Sequence, residues 1–409
     1  MLMFCLRAGV CAAAGDEGMP PSPGETQDDP SGELERVDDE RFALSGYVSL
    51  RALHDLLGHG NTESQGSVVA VVKGKLDLED STLAMQLRPE FVRSSQSGDR
   101  VARVRVDELN WEMEISTSAF LFAGRKRIVN GVALGRNPSD FFNLDKPEDR
   151  TLADEDRRAE KKGDDLVGWS YFGRKYSLHG AVASAADGGR RVRAFLQLTG
   201  RLDRLTTDYS IIGYYADNPG LGVNLSTAIG DKMTAYAEIA VRKDRDRRKP
   251  LPDAQSALAG TTGDRRSWFP DAVIGGQYTS ELGQTFTAEY WMNANGYSDA
   301  EFSSVERSLR TGLGNVPLAV NLIGTPSLRR EKMFFRISDV KLKENIELEA
   351  TMIYSVDDRS RFLRGAVIWD VAEADSIKAG VDSFSGSEFS EYGVTPVDTR
   401  LFVIYKRYF

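Results

Sequence analysis

Side chains able to do acid–base or nucleophilic chemistry are few in this sequence, and their spacing does not favour it. The 409 residues include three histidines, His54, His59 and His179. His54 and His59 lie five apart, which suits neither one face of a strand nor the H-E-x-x-H helix that binds zinc. Ser177 and His179 would share a strand face, the minimum for a hydroxyl nucleophile and its base. No G-x-S-x-G elbow accompanies them, because Gly168-Trp169-Ser170-Tyr171-Phe172-Gly173 has one residue too many. A hydrolase is therefore the weakest reading, and His179 reads more simply as a polar lining residue. No P-loop or G-x-G-x-x-G occurs, so no cofactor is expected. Both cysteines, Cys5 and Cys11, lie at the extreme N-terminus, which leaves the body without thiols for a zinc site or disulfide.

A different chemistry recurs at every second position. Gln86 and Arg88 alternate with Leu83, Met85 and Leu87. Arg193, Gln197 and Arg201 alternate with Val192, Ala194, Leu196 and Leu198. Tyr236, Glu238 and Arg242 alternate with Ala235, Ala237, Ile239 and Val241. Lys332, Arg336 and Ser338 alternate with Met333, Phe335 and Ile337. Side chains alternate faces along a strand, so these segments carry one apolar face and one charged face.

The composition narrows what such strands can build. Hydrophobic residues make up 41% and charged residues 28%. No run of about 18 apolar residues exists, so membrane helices are excluded. A spanning strand needs only about 9–11 residues, with alternate ones apolar. The net charge is -9, and residues 15–41 alone hold ten acids against two bases. The rest is near neutral and lacks the basic stripe of a nucleic-acid binder. Residues 1–14 (MLMFCLRAGVCAAA) read as a signal-peptide remnant, with Ala12-Ala13-Ala14 as a cleavage site. A disordered soluble N-terminus is the alternative. Residues 15–41 read as an acidic, disordered periplasmic leader. Residues 42–409 read as one all-β unit.

Eighteen candidate strands follow from the alternation, within a range of 16–18. Every other connection after the second strand is a short turn. The interleaved connections include the long segments 128–164, 244–267, 295–330 and 386–397. Short turns at one end and long loops at the other are the pattern of a transmembrane antiparallel β-barrel in a bacterial outer membrane. An even strand number puts both termini at the short-turn, periplasmic end. The last strand, Thr399–Phe409, carries Leu401, Val403, Tyr405 and Phe409 on one face. Its terminal aromatic resembles the signal read by the outer-membrane barrel assembly machinery, with Tyr405 and Phe409 as the residues concerned. Outer-membrane lipid and that machinery are the expected partners, and nucleic acid is not.

If apolar faces meet lipid, the charged faces line a lumen. The pore-lining candidates are Arg88, Arg103, Arg105, Asp107, Arg125, Arg193, Arg201, Glu238, Arg242, Glu289, Arg336 and Arg364. Lys378, Arg400 and Lys406 join the inward bases, and Glu90, Glu347, Glu349, Asp370 and Asp382 join the acids. Twelve bases against eight acids would favour anionic solutes, as rings of Arg and Lys do in anion pores. Mutual charge pairing without selectivity is the alternative. So many charges suit a watery lumen and not a dry core. Residues 124–143 (GRKRIVNGVALGRNPSDFFN) hold the sharpest local motif, in which Asn137-Pro138-Ser139-Asp140 signals a turn. This connection is a candidate constriction, with Arg136, Asn137, Asp140, Phe141 and Phe142 as its key residues. An exposed surface loop is the plainer alternative.

Gly124-Arg125-Lys126-Arg127 followed by Asn137-Pro138-Ser139-Asp140-Phe141-Phe142 resembles porins related to the alginate-export family. Glu289-Tyr290-Trp291-Met292-Asn293-Ala294-Asn295-Gly296-Tyr297-Ser298 resembles a hairpin segment of uncharacterised members. The resemblance implies an eighteen-stranded barrel with an arginine-bearing lumen that passes a polyanion. This chain intersperses many acids among those arginines, which leaves its solute open. The function expected is passive passage of a hydrophilic, anionic solute or polysaccharide. A plugged structural barrel is the alternative.

Overall fold

Period-two alternation is realised as eighteen antiparallel strands in one closed sheet. The computed structural model describes residues 41–58, 61–95, 98, 100–144, 146, 161–184, 192–243, 268–311 and 329–409. The signal-peptide remnant, the leader up to residue 40 and His59 lie outside the described residues. The first half comprises β1 (Phe42–Leu57), β2 (Thr62–Asp77), β3 (Ser81–Ser94), β4 (Arg100–Ser116), β5 (Ala119–Lys126), β6 (Asp164–Phe172), β7 (Tyr176–Ser184), β8 (Val192–Leu202) and β9 (Thr207–Tyr215). The second comprises β10 (Gly220–Ile229), β11 (Met233–Lys243), β12 (Trp268–Thr279), β13 (Thr285–Asn293), β14 (Glu331–Lys343), β15 (Ile346–Ser355), β16 (Arg361–Ala372), β17 (Asp375–Ser385) and β18 (Val397–Tyr408). Among the described residues an α-helix, α1 (Asp299–Thr311), lies between β13 and β14.

Every strand pairs with its sequence neighbours, and β1 closes the ring on β18 from Tyr47↔Tyr408 to Leu57↔Val397. Closure leaves no unpaired sheet edge. The eighteen strands match the alternation read from sequence. β2 begins at Thr62, ahead of the alternation, because Thr62–Gly66 is polar on both faces and is held by pairing with β1. Turns at 78–80, 117–118, 173–175, 203–206, 230–232, 280–284, 344–345 and 373–374 lie at one end, and the long connections lie at the other. Gly230 and Gly283 take positive φ (63° and 81°) in these tight turns, where a Cβ would be strained.

The two faces differ as the alternation requires. Leu50, Val68, Leu196, Ile239, Phe335 and Val403 point outward and are exposed, and Val104 and Ile274 reach 69% and 62% exposure. Ser49, Gln86, Glu238 and Glu349 point inward and are buried. Covering a large aliphatic side chain is worth about 1.5–3 kcal/mol. A band of them around the whole ring far exceeds what a water-soluble monomer leaves bare. One local break shifts the pattern. A bulge sets Gln86/Leu87 of β3 against Val106–Glu108 of β4. The extra residue moves the phase by one. Arg103, Arg105 and Asp107 face inward before it, and Glu108, Asn110 and Glu112 after it.

Candidate functional site

The connection after β5 turns into the barrel and docks on the opposite wall. Its bend is set by Gly131 at φ +109°, where a Cβ would lie 2.2 Å from the Asn137 side chain. The Asn137–Asp140 turn forms as the sequence signals, with the Asp140 N–H donating to the Asn137 carbonyl at 3.2 Å. The Asp140 carboxylate then ties the two arms together. It accepts from the Asn130 N–H at 3.1 Å and from Asn143 Nδ2 at 2.7 Å, and pairs with Lys161 at 3.4 Å. Burial pushes the Asp140 carboxyl up, against the pull of Lys161 and these donors.

Carboxylates on the far wall hold the backbone of this loop. Glu289 of β13 accepts from the Leu134 N–H at 2.7 Å and the Gly135 N–H at 3.2 Å. Glu238 of β11 accepts from the N–H groups of Val132 at 3.0 Å and Ser139 at 2.7 Å. The Ser139 hydroxyl also donates to Glu238, and Arg136 pairs with Asp271 of β12. A buried backbone N–H without an acceptor costs roughly 1–3 kcal/mol, so these carboxylates make the inward path possible. Packing completes the contact. Ala133 is fully buried among Tyr236, Val273, Trp291 and Phe334. A Cβ on Gly135 would come within 2.4 Å of Trp291 Cζ2, and one on Gly220 within 2.7 Å of Phe141. Phe141 stacks on Tyr214 at 5.1 Å, and Phe142 meets Phe195 edge-on at 5.5 Å. The exposed-loop alternative is thus replaced by a loop inside the ring.

The remaining inner wall, β15–β18 and β1–β4, carries paired charges. Arg88 meets Asp107 at 2.9 Å and Glu90 at 3.3 Å. Glu90 also pairs with Arg103 at 2.6 Å and Arg105 at 3.4 Å, so three guanidiniums share two carboxylates. Arg364 makes two 2.7 Å bonds to Asp382. Glu349 joins Lys378 and Arg336, the latter at 3.3 Å. Arg51 and Lys406 also face inward on this wall. The inward bases Arg51, Lys73, Arg88, Arg103, Arg105, Arg364, Lys378, Arg400 and Lys406 stand among the inward acids Asp55, Glu63, Glu90, Asp107, Glu108, Glu112, Glu347, Glu349, Asp370 and Asp382. Arg103 is the most open of the cluster around Glu90, with 47% of its side chain exposed.

Most pore-lining candidates fall on the inner face. Arg193 pairs there with Asp164 at 2.7 Å, and Arg201 lies 4.0 Å from Asp208. Arg242 and Arg336 are inward as well. Arg125 is the exception. It pairs across the sheet with exposed Leu109 and sits on the outer face, making two 2.8 Å bonds to Asp165. β5 is apolar on both faces, with Phe122 packed inside and Leu121 exposed outside, so its alternation alone does not set the facing; the inward base is Lys126, paired with Glu112. The sequence tally also missed Asp55, Glu63, Glu108, Glu112, Asp164, Asp208 and Asp271. With Arg51, Lys73, Lys126 and Lys332 added to the bases, the expected excess of base over the whole lumen becomes near balance. Trp291 and Tyr236, which clamp the loop, were also missed as site residues. Glu289-Tyr290-Trp291 was a usable signal, since Tyr236 Oη (2.6 Å) and Trp291 Nε1 (2.7 Å) both donate to Glu289.

His179 faces inward, bonded to Ser170 Oγ at 3.0 Å rather than to Ser177. The described residues give it no carboxylate partner. His54 lies on the outer face, beside Ser64 at 2.9 Å. Tyr405 and Phe409 lie on the outer face of β18 and its end. Tyr405 Oη bonds Asp375 at 2.6 Å, and the Phe409 backbone bonds Gly46 in both directions at 3.0 and 3.1 Å.

No protein-family model and no curated protein matches this sequence. Solved structures do match its fold. Pseudomonas aeruginosa OccK5 (OpdH) aligns with a TM-score of 0.53 at 11% identity, over 90% of this chain and 98% of its own. Acinetobacter baumannii OccAB1 gives 0.53 at 11%, over 90% and 97%. The outer membrane protein OprD from Pseudomonas aeruginosa gives 0.51 at 8%, over 90% and 94%. At such identities the shared feature is the barrel fold.

Proposed function

We propose that this chain is a porin-like channel of the bacterial outer membrane, through which a hydrophilic, anionic solute passes passively. The observation that carries this is the inward loop, pinned by Glu238 and Glu289, narrowing a ring whose facing inner wall carries Arg51, Arg88, Arg103, Arg105 and Arg364. A barrel of sixteen to eighteen strands is wide enough for an aqueous path, and a loop folded against one wall sets its narrowest point. The acids of β11–β13 are spent on loop N–H groups and Arg136. On the facing wall Arg103 and Arg105 are the accessible bases, with 47% and 33% of their side chains exposed. The Gly124–Arg127 and Asn137–Phe142 motifs resemble porins related to the alginate-export family, which supports a polyanionic solute. The terminal strand with Tyr405 and Phe409 supports insertion by the barrel assembly machinery into outer-membrane lipid.

A plugged structural barrel is the second reading. Burial of inward Arg88, Arg364 and Lys406 favours it. Planar-bilayer recording of the refolded protein under a salt gradient separates the two. Discrete open steps with an anion-favouring reversal potential are expected. Silence from correctly folded barrels would establish the plugged reading.

A further inference from the structure

The outer face at the loop end carries bases that the lumen does not use. Across the strands, Val403, Ala52, Gly66, Arg93 and Arg100 form one outward row. The row nearer the turns is apolar, with Tyr405, Leu50, Val68, Phe91 and Ala102. The row nearer the loops holds Leu401, His54 and Ser64. Small Ala52 and Gly66 leave a notch between Val403 and Arg93, and nothing lies within 4 Å of where a Gly66 Cβ would be. A concavity of about 640 Å³ forms there, lined by Ala52, Gly66, Leu401 and Val403 and edged by His54, Arg93 and Arg100.

The charges at its edge differ from those of outward Arg125 and Arg407. Arg125 is paired with Asp165, and Arg407 lies 4.0 Å from Asp375. Arg93 and Arg100 stand directly opposite each other in the β3–β4 ladder and make no ion pair among the described residues. Like charges directly across a ladder repel. An anion bridging them would relieve that repulsion, and the apolar notch beneath would take a hydrocarbon chain. A free phosphate would use only the edge.

We infer that this outer-face notch seats a phosphate-bearing lipid of the leaflet at the loop end, its headgroup between Arg93 and Arg100 and a chain along Ala52, Gly66 and Val403. The inference rests on the membrane-spanning reading. Each arginine near an anionic headgroup is worth about 1 kcal/mol, so the pair should change affinity on the order of tenfold or more.

The test places the full barrel in phosphatidylcholine nanodiscs doped with phosphatidic acid and counts retained lipid by native mass spectrometry. Phosphatidic acid should be retained over phosphatidylcholine. The double variant R93Q/R100Q should lose that preference about tenfold, and R407Q should keep it. Equal retention by the double variant, or equal retention of phosphatidylcholine, overturns the site. Displacement of phosphatidic acid by millimolar inorganic phosphate would overturn the lipid assignment. A barrel that enters no nanodisc at all would overturn the membrane reading, and this site with it.

Discussion

Glu289 accepts from four donors, the N–H groups of Leu134 and Gly135, the Tyr236 hydroxyl and the Trp291 indole. Truncation would remove this shared acceptor from all four. Glu289→Ala should weaken loop docking by roughly 3 kcal/mol, with Glu289→Gln intermediate. Unitary conductance should rise and become noisier in planar bilayers. An unchanged step size would mean that the loop is not the constriction. Much at this scale was legible in sequence. Arg88, Arg103, Arg105, Glu238 and Glu289 fall on the inner face because alternation fixes facing wherever the strand is regular. Arg125 was misplaced because β5 is apolar on both faces, Phe122 inside and Leu121 outside, so alternation there does not tell the faces apart. The loop's anchors were illegible for another reason: Glu289 and Leu134 lie 155 residues apart, and no local pattern joins them.

The element that decides closure is the β1–β18 seam. Gly46 exchanges backbone bonds with Phe409, and a Cβ there would lie 2.0 Å from the Val71 carbonyl oxygen. No flexible side chain can yield at that contact. Gly46→Ala should cost several kcal/mol, beyond the roughly 1–3 kcal/mol of ordinary overpacking. Heat-modifiable gel migration after refolding would report it, and a wild-type folded fraction would refute it. The strands themselves were readable, since each needs only its own residues to show a period of two. The start of β2 at Thr62 was not, because its polar residues extend by pairing with β1 rather than by facing.

For the molecule as a whole, the balance of charge matters less than its distribution. Acids and bases are nearly even around the lumen, yet the loop occupies the carboxylates of one wall and leaves arginines on the other. Arg103 and Arg105 are its most accessible members, at 47% and 33% exposure. The double variant R103Q/R105Q should move the reversal potential toward cation preference while Arg88 keeps Asp107 and Glu90 satisfied. The effect should shrink in high salt, as the Debye length falls toward about 3 Å at 1 M. A reversal potential that does not move would assign selectivity to another ring.

The docked loop also has a mechanical meaning. It leaves the ring at β5, crosses the interior and is fastened to three neighbouring strands through Glu238, Asp271 and Glu289. That makes it a tie rod across a hollow cylinder. Flattening the cylinder would stretch or slacken the rod, and each fastening would have to break before the wall could bend far. Wall shape and bore are therefore one mechanical variable, and lateral pressure on the ring is transmitted to the width of the path inside it.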